Sequence, residues 1–226
     1  MFDIPQRSQE PEILDDLSLQ SQALGQNLLE LAQAILPPPE NHPQSLLLAD
    51  VGCGGGDTMA HLLHHSYFRD YSLEFTGFDC SKEALRWARK WYPYPQLHFE
   101  ELDAMQTWPA RRFHAVFFNL VLHHFTDAQI ITLLQQAARN SDFIIINDLQ
   151  RNWLPYYLFR LASRLGRFSP ISRHDGLLSI KKSFTRRHWE QLLKRAGLPT
   201  YRIRWYWAFR WVVTIECRTS SESSYL

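Results

Sequence analysis

Short, unbroken apolar runs alternate along this chain with stretches whose apolar residues recur every three or four positions. The runs are SLLLADV (45–51), SLEFTGFD (72–79), QLHFEELD (96–103), FHAVFFNLVL (113–122) and DFIIINDL (142–149). Runs this short and this continuously apolar fit strands buried on both faces. Between them, DTMAHLLHHSYF (57–68), SKEALRWARKWY (81–92) and TDAQIITLLQQAARN (126–140) show helical spacing. Ser81 is placed to cap the second of these helices, and Thr126 or Asp127 the third. Strands alternating with helices predict right-handed crossovers and a parallel sheet covered on both faces.

The alternation starts late and lapses before the end. Residues 12–36 have near-helical apolar spacing and stop at three prolines, 37–39, so an N-terminal helical segment is expected over 1–40. From 150 to 183 the strand–helix rhythm is interrupted. WLPYYLFRLASRLGRF (153–168) is a basic, aromatic-rich helical stretch, and SPISRHDGLLSIKKS (169–183) has the composition of loop and turn. FTRRHWEQLLKRAGL (184–198) returns to a helix, with Thr185 as N-cap and Gly197 as C-cap. YRIRWYWAFRWVVTIECR (201–218) predicts two strands turning near Ala208–Arg210, a link so short that they must be antiparallel.

Composition changes this picture in two ways. With 226 residues, 45% hydrophobic and 21% charged, the chain has the makeup of a folded globular protein and is expected to form a single domain over 1–226. No apolar run approaches the ~20 residues of a membrane-spanning helix, and the polar, acidic start is unlike a secretory signal. The three cysteines form no CxxC pair, so no disulfide framework and no metal site are expected, and the reading is cytoplasmic. Charge is unevenly distributed. Residues 1–150 carry 9 basic and 19 acidic side chains, whereas residues 151–226 carry 15 and 4. Such a split either neutralises itself across one fold or marks a surface for an anionic partner.

Four glycines in five positions, Gly52, Gly54, Gly55 and Gly56, follow the first strand and open the next helix. A strand, a glycine-rich turn and a helix start form the nucleotide-binding end of a doubly wound sheet. The register puts Asp57 where a dinucleotide fingerprint needs its third glycine, and that carboxylate would compete with a phosphate for the helix N-terminus. No Lys-Ser or Lys-Thr follows, which excludes a P-loop. The turn suits a ligand without phosphates.

Asp50, Gly52, Gly54 and Gly56, in the order Asp-x-Gly-x-Gly-x-Gly, closely resemble the first motif of class I S-adenosylmethionine-dependent methyltransferases. Three further motifs follow in order. Asp79, ending the second strand, matches the acidic residue that takes both ribose hydroxyls. Asp103 and Ala104 match the pair near the adenine amino group, and FHAVFFNLVLHHF (113–125) matches the fourth motif, with His114 in place of the usual aspartate. The resemblance implies a seven-stranded, mostly parallel Rossmann-like α/β sheet of order 3-2-1-4-5-7-6, ending in an antiparallel pair. It implies S-adenosylmethionine as cofactor, held by Asp50, Gly52, Cys53, Gly54, Gly56, Asp79, Cys80, Asp103, Ala104, Asn119 and Leu120.

For proton transfer the candidates are His123 and His124 after the fourth strand, Asp148 at the end of the fifth, and His174 in the loop SRHDGLLS. His61, His64 and His65 share a helical surface and are expected to be solvated. Segment 150–183 lies where such enzymes often insert a substrate cap. Its Trp153, Tyr156, Tyr157, Phe159 and Phe168 suggest an aromatic-lined pocket, and Arg151, Arg160, Arg164, Arg167 and Arg173 an anionic group nearby or a docking role. This part is similar to quinone-biosynthesis methyltransferases and to bacterial relatives associated with phenolic polyketides. It implies an aromatic, lipophilic or polyketide-like acceptor, methylated on a hydroxyl or, alternatively, on the carbon of a quinol ring. A basic aromatic helix can also lie on an anionic membrane surface. Nucleic acid fits less well, because Leu120 rather than a Pro-Pro pair follows Asn119. A non-catalytic cofactor binder is the remaining alternative.

Overall fold

A computed structural model of the protein describes residues 45–65, 68, 71–151, 182–206 and 209–217. The helices expected at 12–36 and 153–168, the segment 1–40, nearly all of the 150–183 insertion and His174 lie outside the described residues. Seven strands form one sheet: β1 (Leu46–Val51), β2 (Leu73–Asp79), β3 (Leu97–Glu101), β4 (Phe113–Asn119), β5 (Ser141–Leu149), β6 (Tyr201–Tyr206) and β7 (Arg210–Glu216). Their order is β3-β2-β1-β4-β5-β7-β6, parallel except where β7 runs antiparallel between β5 and β6. This is the fold class and strand order expected from the sequence.

Four described helices cover the two faces: α1 (Asp57–Leu63), α2 (Lys82–Trp91), α3 (Asp127–Asn140) and α4 (Arg186–Ala196). Alternation along each strand divides its apolar residues between two cores. Leu46 and Leu48 of β1, Phe117 of β4 and Ile145 of β5 pack with Met59, Leu62 and Leu85 of α1 and α2. Ala49, Val51, Phe118, Ile144 and Ile146 point the other way, toward Leu133 and Leu134 of α3 and Trp189 and Leu192 of α4. Burial on both faces is why the strands are apolar at consecutive positions.

The helix ends follow their capping chemistry. Ser81 accepts from the Ala84 N–H at 3.2 Å, and Thr185 accepts from the His188 N–H at 3.2 Å. Thr126, not Asp127, caps α3, because Gln129 three residues on completes a reciprocal capping box. Gly197 closes α4 in the left-handed conformation, φ 75°.

Two predicted elements end early. The helix expected over 57–68 stops at Leu63, where tight bonds from His65 N–H to Leu62 O and from Phe68 N–H to His65 O swing Phe68 into the core. The strand expected over 113–122 stops at Asn119. Leu120 takes φ 54°, and a 3-10 turn follows at Leu122–His124. That bend lays Val121 over the glycine turn, where a Cβ on Gly52 would come within 2.5 Å of its Cγ2.

Gly56 has φ 78°, and a Cβ there would meet the Phe99 ring at 2.6 Å and the Ala88 methyl at 3.3 Å. Positive φ and close packing act together at this position. Gly56→Ala should destabilise the fold by ~1–3 kcal/mol, the usual scale of overpacking, as a lower urea midpoint at unchanged slope.

Candidate active site

The carboxyl ends of β1, β2, β4 and β5 gather along one edge of the sheet. There the strands run out of backbone partners, and side chains take over. Asp79, at the end of β2, accepts the Gly54 N–H on Oδ2 and the Ser81 N–H on Oδ1, both at 2.8 Å. It ties the glycine turn to the start of α2. Each oxygen keeps a further lone pair, so this half-buried carboxylate can still accept two hydroxyl donors. Gly54 lies beside it with φ 53°, and a Cβ there would meet nothing within 4 Å, so the backbone faces open space.

Asp103 is exposed beyond β3 and accepts the Met105 N–H at 2.9 Å, while the Ala104 carbonyl takes the Trp108 indole N–H at 3.0 Å. Asn119 bridges two elements. Its Nδ2 donates to Thr58 Oγ1 on α1 at 3.0 Å, and its Oδ1 accepts from Asn147 Nδ2 at 2.9 Å. The Leu120 N–H donates to the Asn147 carbonyl at 2.8 Å. Cys53 is buried against Gly77, and burial, then Asp50 and Asp79, push its thiol well above the ordinary range. Cys80 is exposed, its thiol also raised by partial burial and by Asp79. Neither environment makes a nucleophile.

Asp50 sits beneath the turn, 2% exposed, with Oδ1 lacking a hydrogen-bond partner. Burial, then Asp57 and Asp79, raise its pKa to about 8. The Asp57 and Asp79 carboxylates thus face a third carboxyl group, Asp50, that keeps its proton beneath the glycines. A pyrophosphate would be repelled there, whereas a ligand bearing positive charge and a ribose diol is suited to this field and to Asp79. S-adenosylmethionine, with its sulfonium and ammonium groups, meets that description. Asp79 and the open Gly54 backbone would hold its nucleoside part.

Across the edge, on the α3 and α4 side, His123 and Asp148 form a buried pair, 5% and 0% exposed. Asp148 Oδ1 lies 2.7 Å from His123 Nδ1 and also accepts the Leu149 N–H at 2.7 Å, while Oδ2 accepts the His123 N–H at 3.3 Å. A carboxylate against Nδ1 fixes the tautomer with hydrogen on Nδ1, leaving the Nε2 lone pair free to take a proton. His124 is exposed, its ring centroid 4.2 Å from that of His123. The sequence offered both histidines equally; the structure joins only His123 to Asp148. Arg151 is exposed.

Arg210 escaped sequence reasoning, hidden in an aromatic strand. It opens β7 opposite Leu149, 9% exposed, and Nη1 has no hydrogen-bond partner among the described residues. Burial lowers its pKa to about 10, with Asp148 opposing the shift. An open groove of about 730 Å³ lies elsewhere, along β2 and β3 beside Thr76, Glu100 and Arg111, and contains none of these groups. Among the described residues no three His, Cys, Asp or Glu side chains gather as metal ligands, and no helix is long and apolar enough to cross a membrane.

Residues 48–141 match the family model described as a methyltransferase domain. No curated protein matches the chain. Solved structures do. A candidate O-methyltransferase from Nostoc punctiforme PCC 73102 superposes with a TM-score of 0.61 at 16% identity, over 87% of this chain and 57% of its own. Magnesium protoporphyrin IX methyltransferase from Synechocystis PCC 6803, with S-adenosylhomocysteine bound, gives 0.61 at 15% identity over 92% and 89%. The DszA carbon methyltransferase gives 0.61 at 20% identity over 88% and 54%. The chain therefore spans little more than half the length of the first and third of these proteins. At such identities the likeness establishes the fold.

Two substitutions test this site. Asp79→Ala should weaken S-adenosylhomocysteine binding by ~1.5–3 kcal/mol in titration calorimetry, the scale of hydrogen bonds to a charged group. Asp50 is raised above the ~3.9 of an unfolded aspartate, so the proton it holds stabilises the fold fully below that pH. That contribution is lost as pH rises toward about 8. The melting-temperature advantage of Asp50→Asn over the wild type should accordingly grow between about pH 4 and about pH 8 and then level off. The glycine turn, its carboxylates and the seven-stranded sheet are thus the parts of one unit, and residues 48–141 of that unit are similar to the methyltransferase-domain family.

Proposed function

We propose that this protein transfers the methyl group of S-adenosylmethionine to a hydroxyl oxygen of an aromatic or polyketide-like small molecule. The observation that carries this reading is the buried His123–Asp148 pair at the carboxyl edge of the sheet. The cofactor supplies an electrophilic methyl group. What the protein must add is alignment of the acceptor, exclusion of water and a destination for the acceptor's proton.

In this reading His123 Nε2 takes the hydroxyl proton as the oxygen attacks, and Asp148 stabilises the imidazolium that results. Asp148 accepts three hydrogen bonds in a buried setting, which holds the imidazole in one orientation before the acceptor arrives. Carbon methylation of a quinol ring would use the same pair to remove the phenolic proton and make the ring carbon nucleophilic. The oxygen reading is preferred because the base then needs to reach only the atom that reacts.

The test is to supply S-adenosylmethionine with a panel of phenols, enols and quinols, then locate the added methyl in each product. Oxygen methylation is the expected result; a product methylated only on carbon would replace it with the alternative. On an accepted substrate, His123→Ala and Asp148→Asn should each lower kcat by ~10²–10⁴-fold, the usual share of a positioned base. S-adenosylhomocysteine affinity should be unchanged. A His123→Ala enzyme of wild-type rate would remove the histidine from the mechanism.

A further inference from the structure

A row of polar side chains runs along the carboxyl edge on the α1 side of the sheet. Thr58 accepts from Asn119, and Asn119 accepts from Asn147, strand to strand. The row then stops. Asn147 Oδ1 is fully buried without a hydrogen-bond partner, and the next polar group on that side is Arg210, whose Nη1 is also buried and unpartnered among the described residues. The register explains the placement. Asn147 faces Val212 and Leu149 faces Arg210 across the antiparallel pair, so alternation puts Asn147 and Arg210 on the same face. Val212 belongs to the α1 and α2 core, which fixes that face as the one bearing Thr58.

An unpartnered acceptor on β5 and an unpartnered guanidinium Nη1 on β7 therefore share this face, diagonal to each other across the antiparallel pair. Nine-tenths burial of a guanidinium with no carboxylate bonded to it among the described residues is costly and is rarely kept for stability. Arg111, on the opposite flank, shows the ordinary alternative: it is half-exposed and bonded to both Glu100 and Thr76. Asp148 is the acidic group acting on Arg210 through space, but among the described residues its hydrogen bonds go to His123 and Leu149.

We propose that Arg210 is a specificity-determining residue that binds a carboxylate on the methyl acceptor, with Asn147 Oδ1 taking a hydroxyl or amide donor of the same molecule. This deepens the small-molecule reading above and rests on it: the acceptor is a hydroxy acid, held by its carboxylate at β7 on the α1 side, with its hydroxyl reaching past the strand ends toward His123 on the other side of the sheet.

The experiment is thermal unfolding of the full chain with benzoate and, separately, with its neutral isostere benzamide, each with and without S-adenosylhomocysteine. Benzoate should raise the melting temperature saturably and benzamide should not. Arg210→Met should lose the benzoate response, keep the S-adenosylhomocysteine response, and melt no lower than the wild type when free of ligand. Arg210→Lys should retain a weaker benzoate response. The proposal is overturned if benzoate and benzamide act alike, or if Arg210→Met still responds to benzoate. It is equally overturned if Arg210→Met fails to fold or loses the S-adenosylhomocysteine response, since Arg210 would then serve the fold or the cofactor. A wild type that answers benzoate through Arg210 but ignores S-adenosylhomocysteine would separate the two ideas, leaving the anion site standing and the methyl-transfer reading refuted.

Discussion

A parallel sheet collects the carboxyl ends of its strands at one edge, and there the backbone runs out of hydrogen-bond partners. Everything described at the site follows from that shortage. Asp79 takes the N–H groups of Gly54 and Ser81, Asp148 those of His123 and Leu149, and Asn119 links α1 to β5. Each strand end thus carries a polar side chain for a structural reason. The same side chains, held in fixed orientations by those bonds, line the edge at which ligands bind in open α/β sheets.

Their signs divide the edge into regions. Around the glycine turn Asp57 and Asp79 create a negative field, which adds to burial in holding the proton on Asp50 to about pH 8. At the other end, where β7 joins β5, Arg210 supplies a buried positive charge. Between them lies the His123–Asp148 pair. A cationic cofactor at the first region and an anionic acceptor at the second would be oriented toward each other by the protein's own charges, before any close contact forms.

Much of the fold was legible because the sequence constraints were local. Continuous apolar runs such as IIIN in β5 fit strands covered on both faces, whereas the choice between Thr126 and Asp127 as the cap of α3 was settled only by the structure's Thr126–Gln129 capping box. The early end of β4 was not legible. Leu120 adopts positive φ because the chain must fold Val121 back over Gly52, a contact made across sequence-distant elements. Strand-end acids were visible as types and positions, whereas their pairings were not: His123 and His124 are adjacent and chemically identical, and only packing buries one and exposes the other. Arg210 illustrates the same limit. The anion-binding candidates drawn from composition were the arginines from Arg151 to Arg173, of which Arg151 is exposed and the rest lie outside the described residues. A lone arginine at the start of a buried strand was the available signal, and its meaning depends on the β5–β7 register.

The central claim is that this edge holds S-adenosylmethionine rather than a phosphate-bearing dinucleotide. Titration calorimetry of the full chain with S-adenosylhomocysteine and with NAD tests it most directly. The account predicts saturable binding of S-adenosylhomocysteine at one site per chain and no binding of NAD. Binding of NAD alone, or of neither ligand, would contradict it.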